Sequence, residues 1–211
     1  MLDLVAVGRG QRSRGKGAPW KERLIMSHKG FSHLGLSTRD LDRTRDFYEH
    51  VMGFTVVRCD IIKIAEGGQI RHIFFDTGRD QLIAFMEPQG VPGIPADYDA
   101  GINAGLGVPG SFYHFAFEAG SVDALEAKRQ ELLAKGVMVT DIVDHEWAQS
   151  IYFLDPNGIS LEYCCLTRDI GTEDDVTMQV RVERSVQAMR QRWDRLREAG
   201  AALMSSPGAA G

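Results

Sequence analysis

One strand–helix–three-strand pattern occurs twice in this chain, and no other feature narrows its possible folds as much. In the first copy, residues 31–36 (Phe-Ser-His-Leu-Gly-Leu) alternate like a strand. A helix is predicted from Asp40, a good N-cap, to Gly53, a good terminator. Leu41, Thr44, Phe47, Tyr48 and Val51 fall on one stripe of it. Strand candidates follow at 54–62, 69–76 and 81–86. The second copy runs in step. Residues 112–117 form the strand, and Ser121 to Gly136 the helix, with Val122, Leu125, Leu132 and Leu133 as its stripe. The stems of Lys128 or Arg129 bridge the middle turn. The remaining strands are predicted at 137–143, 149–154 and 159–165. Gly67-Gly68, Gly78 and Asn157-Gly158 supply the turns between strands.

Neither unit can bury both faces of its sheet alone. The expected fold is therefore α+β: two βαβββ modules forming a curved mixed-sheet cup around a shared cavity. The two first strands then each place a histidine inward, His33 and His114. The last strands align Leu82-Ile83-Ala84-Phe85 with Ser160-Leu161-Glu162-Tyr163, so Glu162 has only Ala84 as its counterpart. Glu87 lies three residues beyond Ala84, on the opposite face by the two-residue period. Two imidazoles and one carboxylate on separate strands are the donors of an open divalent-metal site. A lone histidine among apolar residues is more readily a structural one. Equivalent positions in a repeat, together with Glu162, favour the metal.

A chain of 211 residues suffices for one such core. Residues 1–27 are expected to form a flexible tail, basic and glycine-rich. Residues 28–168 would be the paired domain, with modules 28–87 and 111–168. The proline-rich stretch 88–110 would be a linker or a cover for the cavity, and 169–211 an extension. In that extension Val176, Met178, Val180 and Val182 alternate like a strand, while Val186, Met189, Trp193 and Leu196 follow helical spacing. A helix there would cover the core or a subunit contact. The net charge of −5 gives no support for nucleic-acid or acidic-membrane binding. No apolar run reaches the length of a membrane span. Three cysteines, Cys59, Cys164 and Cys165, form no disulfide framework and suit a reducing cytoplasm.

At these residues the chain resembles the vicinal oxygen chelate superfamily of glyoxalases, bleomycin-resistance proteins and extradiol dioxygenases. A sharper likeness lies in Val143-Asp144-His145, Ile151-Tyr152, Asp155-Pro156-Asn157-Gly158 and Glu162, which is similar to the extradiol ring-cleavage pattern. The resemblance implies Fe(II), or Mn(II) in its place, held by His33, His114 and Glu162. It makes His145 and Tyr152 the catalytic residues of the substrate pocket, and a catechol-like molecule the substrate. It also implies a homodimer. Ala84 stands where the glyoxalase branch has a fourth ligand, which weighs against that reaction. No histidine occurs between Gly101 and Tyr113, where larger extradiol enzymes carry an acid–base residue, so proton transfer falls to His145 or Tyr98. A lyase or epimerase using the metal as Lewis acid is the alternative, and a metabolite- or drug-binding protein the third reading.

Overall fold

The computed structural model describes residues 30–170 and 185–205. The first module comprises β1 (His33–Ser37), α1 (Leu41–Asp46, passing into a π-helical turn Phe47–Val51), β2 (Thr55–Lys63), β3 (Gln69–Gly78) and β4 (Gln81–Gln89). A short helix, α2 (Ile102–Gly105), interrupts the linker. The second module comprises β5 (His114–Glu118), α3 (Val122–Ala134), β6 (Val143–Asp144), β7 (Ala148–Leu154) and β8 (Ser160–Leu166). Helix α4 (Val186–Ser205) follows. The strand expected around Val176–Val182 and the tail 1–27 lie outside the described residues.

The two sheets have the same topology, β1-β4-β3-β2 and β5-β8-β7-β6. In each the first strand pairs parallel to the fourth, and the other pairs are antiparallel. Both helices start as the sequence predicts. Asp40 accepts from the Arg43 amide at 2.9 Å, and Ser121 from the Ala124 amide at 3.1 Å. Gly136, at φ +78°, takes the left-handed position after α3. Two expected stripe residues, Val122 and Leu133, are 38% and 37% exposed instead. Leu125 and Leu132 alone anchor α3, with Lys128 lying over the Tyr163 ring.

The predicted strand at 137–143 shrinks to Val143–Asp144. One backbone bond remains there, from the Thr140 amide to the Tyr152 carbonyl at 3.0 Å, and side chains complete the edge. Thr140 Oγ1 accepts the Tyr152 amide at 3.0 Å, while the Thr140 carbonyl accepts from Arg129 Nε at 2.9 Å. The sheet edge is held in place without regular pairing.

One hydrophobic core joins the modules through their helix-bearing faces. Leu36, Ile73, Phe75, Ile83 and Phe85 meet Tyr48 and Phe47 there, and Ile151, Phe153 and Leu161 continue it with Leu125 and Leu132. Polar pins tie the halves together. Tyr48 Oη donates to Asp155 at 3.2 Å, and the fully buried Thr38 donates to Asn157 at 2.7 Å. Phe54 packs edge-on to Phe117. Strand alternation then puts His33 on one turned-away sheet face and His114 and Glu162 on the other. Glu87 sits on the core side, paired with Arg71, as the alternation requires.

Candidate metal centre

His114 and Glu162 come together. Register places Ala116 opposite Glu162 and His114 opposite Ser160, so both donors occupy the same face of neighbouring parallel strands. His114 Nε2 lies 3.0 Å from Glu162 Oε2. The other ring nitrogen, Nδ1, lies 3.1 Å from the Ser111 carbonyl, so the ring is held from behind with Nε2 turned to Glu162. Asn103 fixes the loop that carries this carbonyl. Its Nδ2 donates to the carbonyls of Gly110 and Tyr113 at 2.9 and 2.7 Å, and its Oδ1 accepts from the Tyr113 amide. Asn103 and Ser111 carry no chemistry visible in the sequence; an isolated asparagine in a loop reads as a turn residue.

The electrostatics of the pair are reciprocal. Its bond to Glu162 raises the pKa of His114, against the opposing effect of burial. Burial pushes the Glu162 carboxyl upward, but His114, Ser150 and Tyr152 outweigh it and hold the carboxyl below its usual value. Glu162 is only 5% exposed, whereas the His114 side chain is 37% exposed. The Ser150 hydroxyl is fully buried and completes no geometrically sound hydrogen bond among the described residues.

Tyr152 pairs with Glu162 in register and shares its face. Its hydroxyl lies 3.0 Å from His145 Nε2, and its ring meets His114 edge-on at 6.2 Å between centroids. Burial, then the Glu162 charge, raises the phenol pKa. His145 and Tyr152 thus lie beside the donor pair. Tyr98 does not: its hydroxyl donates to the Thr38 carbonyl at 2.9 Å.

His33 stands apart. Its ring contacts Phe74, and its Nδ1 is 3.0 Å from Ser32 Oγ. Among the described residues no three His, Cys, Asp or Glu side chains are grouped so that they could hold one ion. The expected meeting of His33 with His114 and Glu162 therefore does not occur within one chain. The modules share a core through their helix faces, which turns the two donor-bearing faces away from it. The donor chemistry present, an imidazole nitrogen beside a carboxylate oxygen with the ring held from behind, fits part of a divalent-metal ligand set.

Residues 30–163 match the model of the Glyoxalase/Bleomycin resistance protein/Dioxygenase superfamily, and the chain belongs to that family. Similar solved structures include an integron cassette protein from the mobile metagenome of a Halifax Harbour sewage outfall. It is 25% identical, with 66% of this chain and 100% of that one covered, at a TM-score of 0.45. A lactoylglutathione lyase from Agrobacterium tumefaciens is 22% identical over 66% of this chain and 95% of its own, with a TM-score of 0.46. TnmS3, an antibiotic-binding protein from Streptomyces sp. CB03234, is 19% identical over 67% and 99%, with a TM-score of 0.47. No curated protein matches. No described helix is long and apolar enough to cross a membrane.

Proposed function

We propose that this protein is a metal-dependent enzyme acting on a small substrate with two neighbouring oxygens, best read as an Fe(II)-type dioxygenase of catechols. The His114–Glu162 pair carries the reading, because 3.0 Å between an imidazole nitrogen and a buried carboxylate oxygen prepares two donors for one cation. Fe(II) or Mn(II) suits these ligands. His33 from a second copy of the chain supplies the third donor in a homodimer. Two observations support this. His33 is exposed on a face turned from its own core, and its neighbour Phe74 lines an open concavity of about 520 Å³ with Arg58, Asp60, Ile61, Ile62 and His72. When bound, the cation acidifies a substrate hydroxyl and anchors two adjacent oxygens.

The chain's own residues do the rest. Tyr152, held by His145, presents a hydroxyl beside Glu162 that can hydrogen-bond a developing oxyanion. His145 passes the proton on. Ala84, buried opposite Gly35 in the first module, offers no fourth ligand, which leaves a glyoxalase-type lyase short of a donor.

Anaerobic purification with metal analysis, followed by oxygen uptake across a catechol panel, tests the chemistry. Bound iron with catechol-dependent oxygen consumption is expected. Metal with turnover of methylglyoxal plus glutathione but no oxygen use would move the protein to the lyases. Tight small-molecule binding without metal would make it a sequestering protein. Mixing tests the second copy: His33→Ala and His114→Ala variants each lose metal, and an exchanged mixture regains about a quarter of the wild-type sites, one per statistical heterodimer. No recovery in the mixture would refute a site shared between two copies with His33 as its third donor.

A further inference from the structure

Helix α4 lies beyond the family-matched segment, yet it is seated against the site. Trp193, 6% exposed, packs edge-on to Tyr152 with ring centroids 6.1 Å apart. Leu196 is buried on the same helix. The seat is the loop that orients His114. Ser111 Oγ lies 3.8 Å from Met189 Sδ, and Arg190 Nη2 donates to the Gly107 carbonyl at 3.2 Å. A methyl group at Gly110 would overlap the Trp193 indole, so the loop must carry a glycine there for the helix to dock. Ser160 Oγ and Asn103 hold that glycine's carbonyl at 2.5 and 2.9 Å, so the seat cannot easily yield.

Aromatic rings cluster beside the donor pair. Tyr152 contacts His114, His145 and Trp193, each edge-on at 6.1–6.2 Å, and His145 leans on Trp147 at 6.4 Å. We infer that α4 is a cover on the His114–Glu162 site and that Trp193 is its specificity-determining side chain, forming an aromatic wall that selects flat aromatic ligands over small aliphatic chelators. The inference rests on the proposed metal site and names the ligand class it takes. A flat ring entering beside Tyr152 meets the indole, gaining the offset or edge contacts that aromatic pairs favour. An aliphatic chelator reaches the same donors without touching Trp193.

The test compares 4-nitrocatechol, followed by its absorbance, with oxalate, followed by calorimetry, on full-length protein with and without Fe(II) or Mn(II). Trp193→Ala should weaken 4-nitrocatechol roughly tenfold and leave oxalate within about twofold, with Trp193→Phe recovering most of the loss. Trp193→Leu, which keeps an apolar side chain but no ring and leaves the His114 loop unaltered, should reproduce the same selectivity loss. Equal weakening of both ligands, or no weakening of 4-nitrocatechol in either variant, overturns the wall. If wild-type protein takes up no metal yet binds 4-nitrocatechol through Trp193, the wall stands and the metal reading falls. If metal binds normally and the variants hold 4-nitrocatechol as tightly as wild type, only the wall falls. Wild-type protein that does not bind 4-nitrocatechol overturns it as well.

Discussion

Burial pushes the Asp155 carboxyl up to about 6, although the Asn157 side chain, two backbone amides and Tyr48 pull the other way. The folded state therefore binds a proton that the unfolded chain, near the ordinary value of 3.8, has already released. Its contribution to stability is largest below about pH 4, falls as pH rises to about 6, and is level above that. Asp155→Asn has no such proton to lose. The difference in urea midpoint between wild type and this variant should shift against the wild type from about pH 4.5 to 6.5, and a constant difference would refute the assignment. Asp155 belongs to a sequence pattern that resembles a catalytic family, but its partners are Tyr48 and the turn amides. The motif's acid is a joint between modules. That role was not legible in the sequence, because Tyr48 lies 107 residues away and nothing local ties the two.

Turns and edges decide the elements. Gly68, at φ +77°, has the backbone of Gln89 and Gly90 against it, so a Cβ there would strike main-chain atoms. Gly78, at φ +95°, has open space where its Cβ would stand. Gly68→Ala should cost more than about 2 kcal/mol, since strain and overlap add, and Gly78→Ala about 1 kcal/mol from strain alone. Chemical denaturation of both variants measures the gap; equal losses would mean that the close approach does not matter. Helix caps and strand alternation were readable from residues 31–165, since they depend on near neighbours in the chain. The edge at Thr140 was not. Its apolar pattern is strand-like, but Arg129 and the Thr140 hydroxyl satisfy the groups a ladder would otherwise use.

The whole molecule is bound by one core and by polar pins across its centre. Asn157 links Thr38 and Thr44 of the first module to the turn of the second, at 2.7 and 3.2 Å. Asn157→Ala removes its side-chain hydrogen bonds to Thr38, Thr44 and Asp155, while the two buried threonine hydroxyls keep each other and Asp40 as partners, so it should cost about 1–2 kcal/mol. Both modules should still melt in one calorimetric transition, because Tyr48 and Phe54 pack into the second module as well as the first. Two separate transitions in wild-type protein would show that the shared core does not couple them.

By itself the sequence determined the doubled βαβββ unit, the strands that carry His33, His114 and Glu162, and the alternation that sets Glu87 facing away from Ala84. Those follow from short-range periodicity, which a single chain states directly. Only the tertiary structure decided that the modules join through their helix faces, that His114 and Glu162 meet while His33 looks elsewhere, and that Trp193 closes over Tyr152. Each of these depends on how two apolar faces find the largest mutual burial. No local pattern records that choice, because the same strand alternation fits either way of packing the sheets.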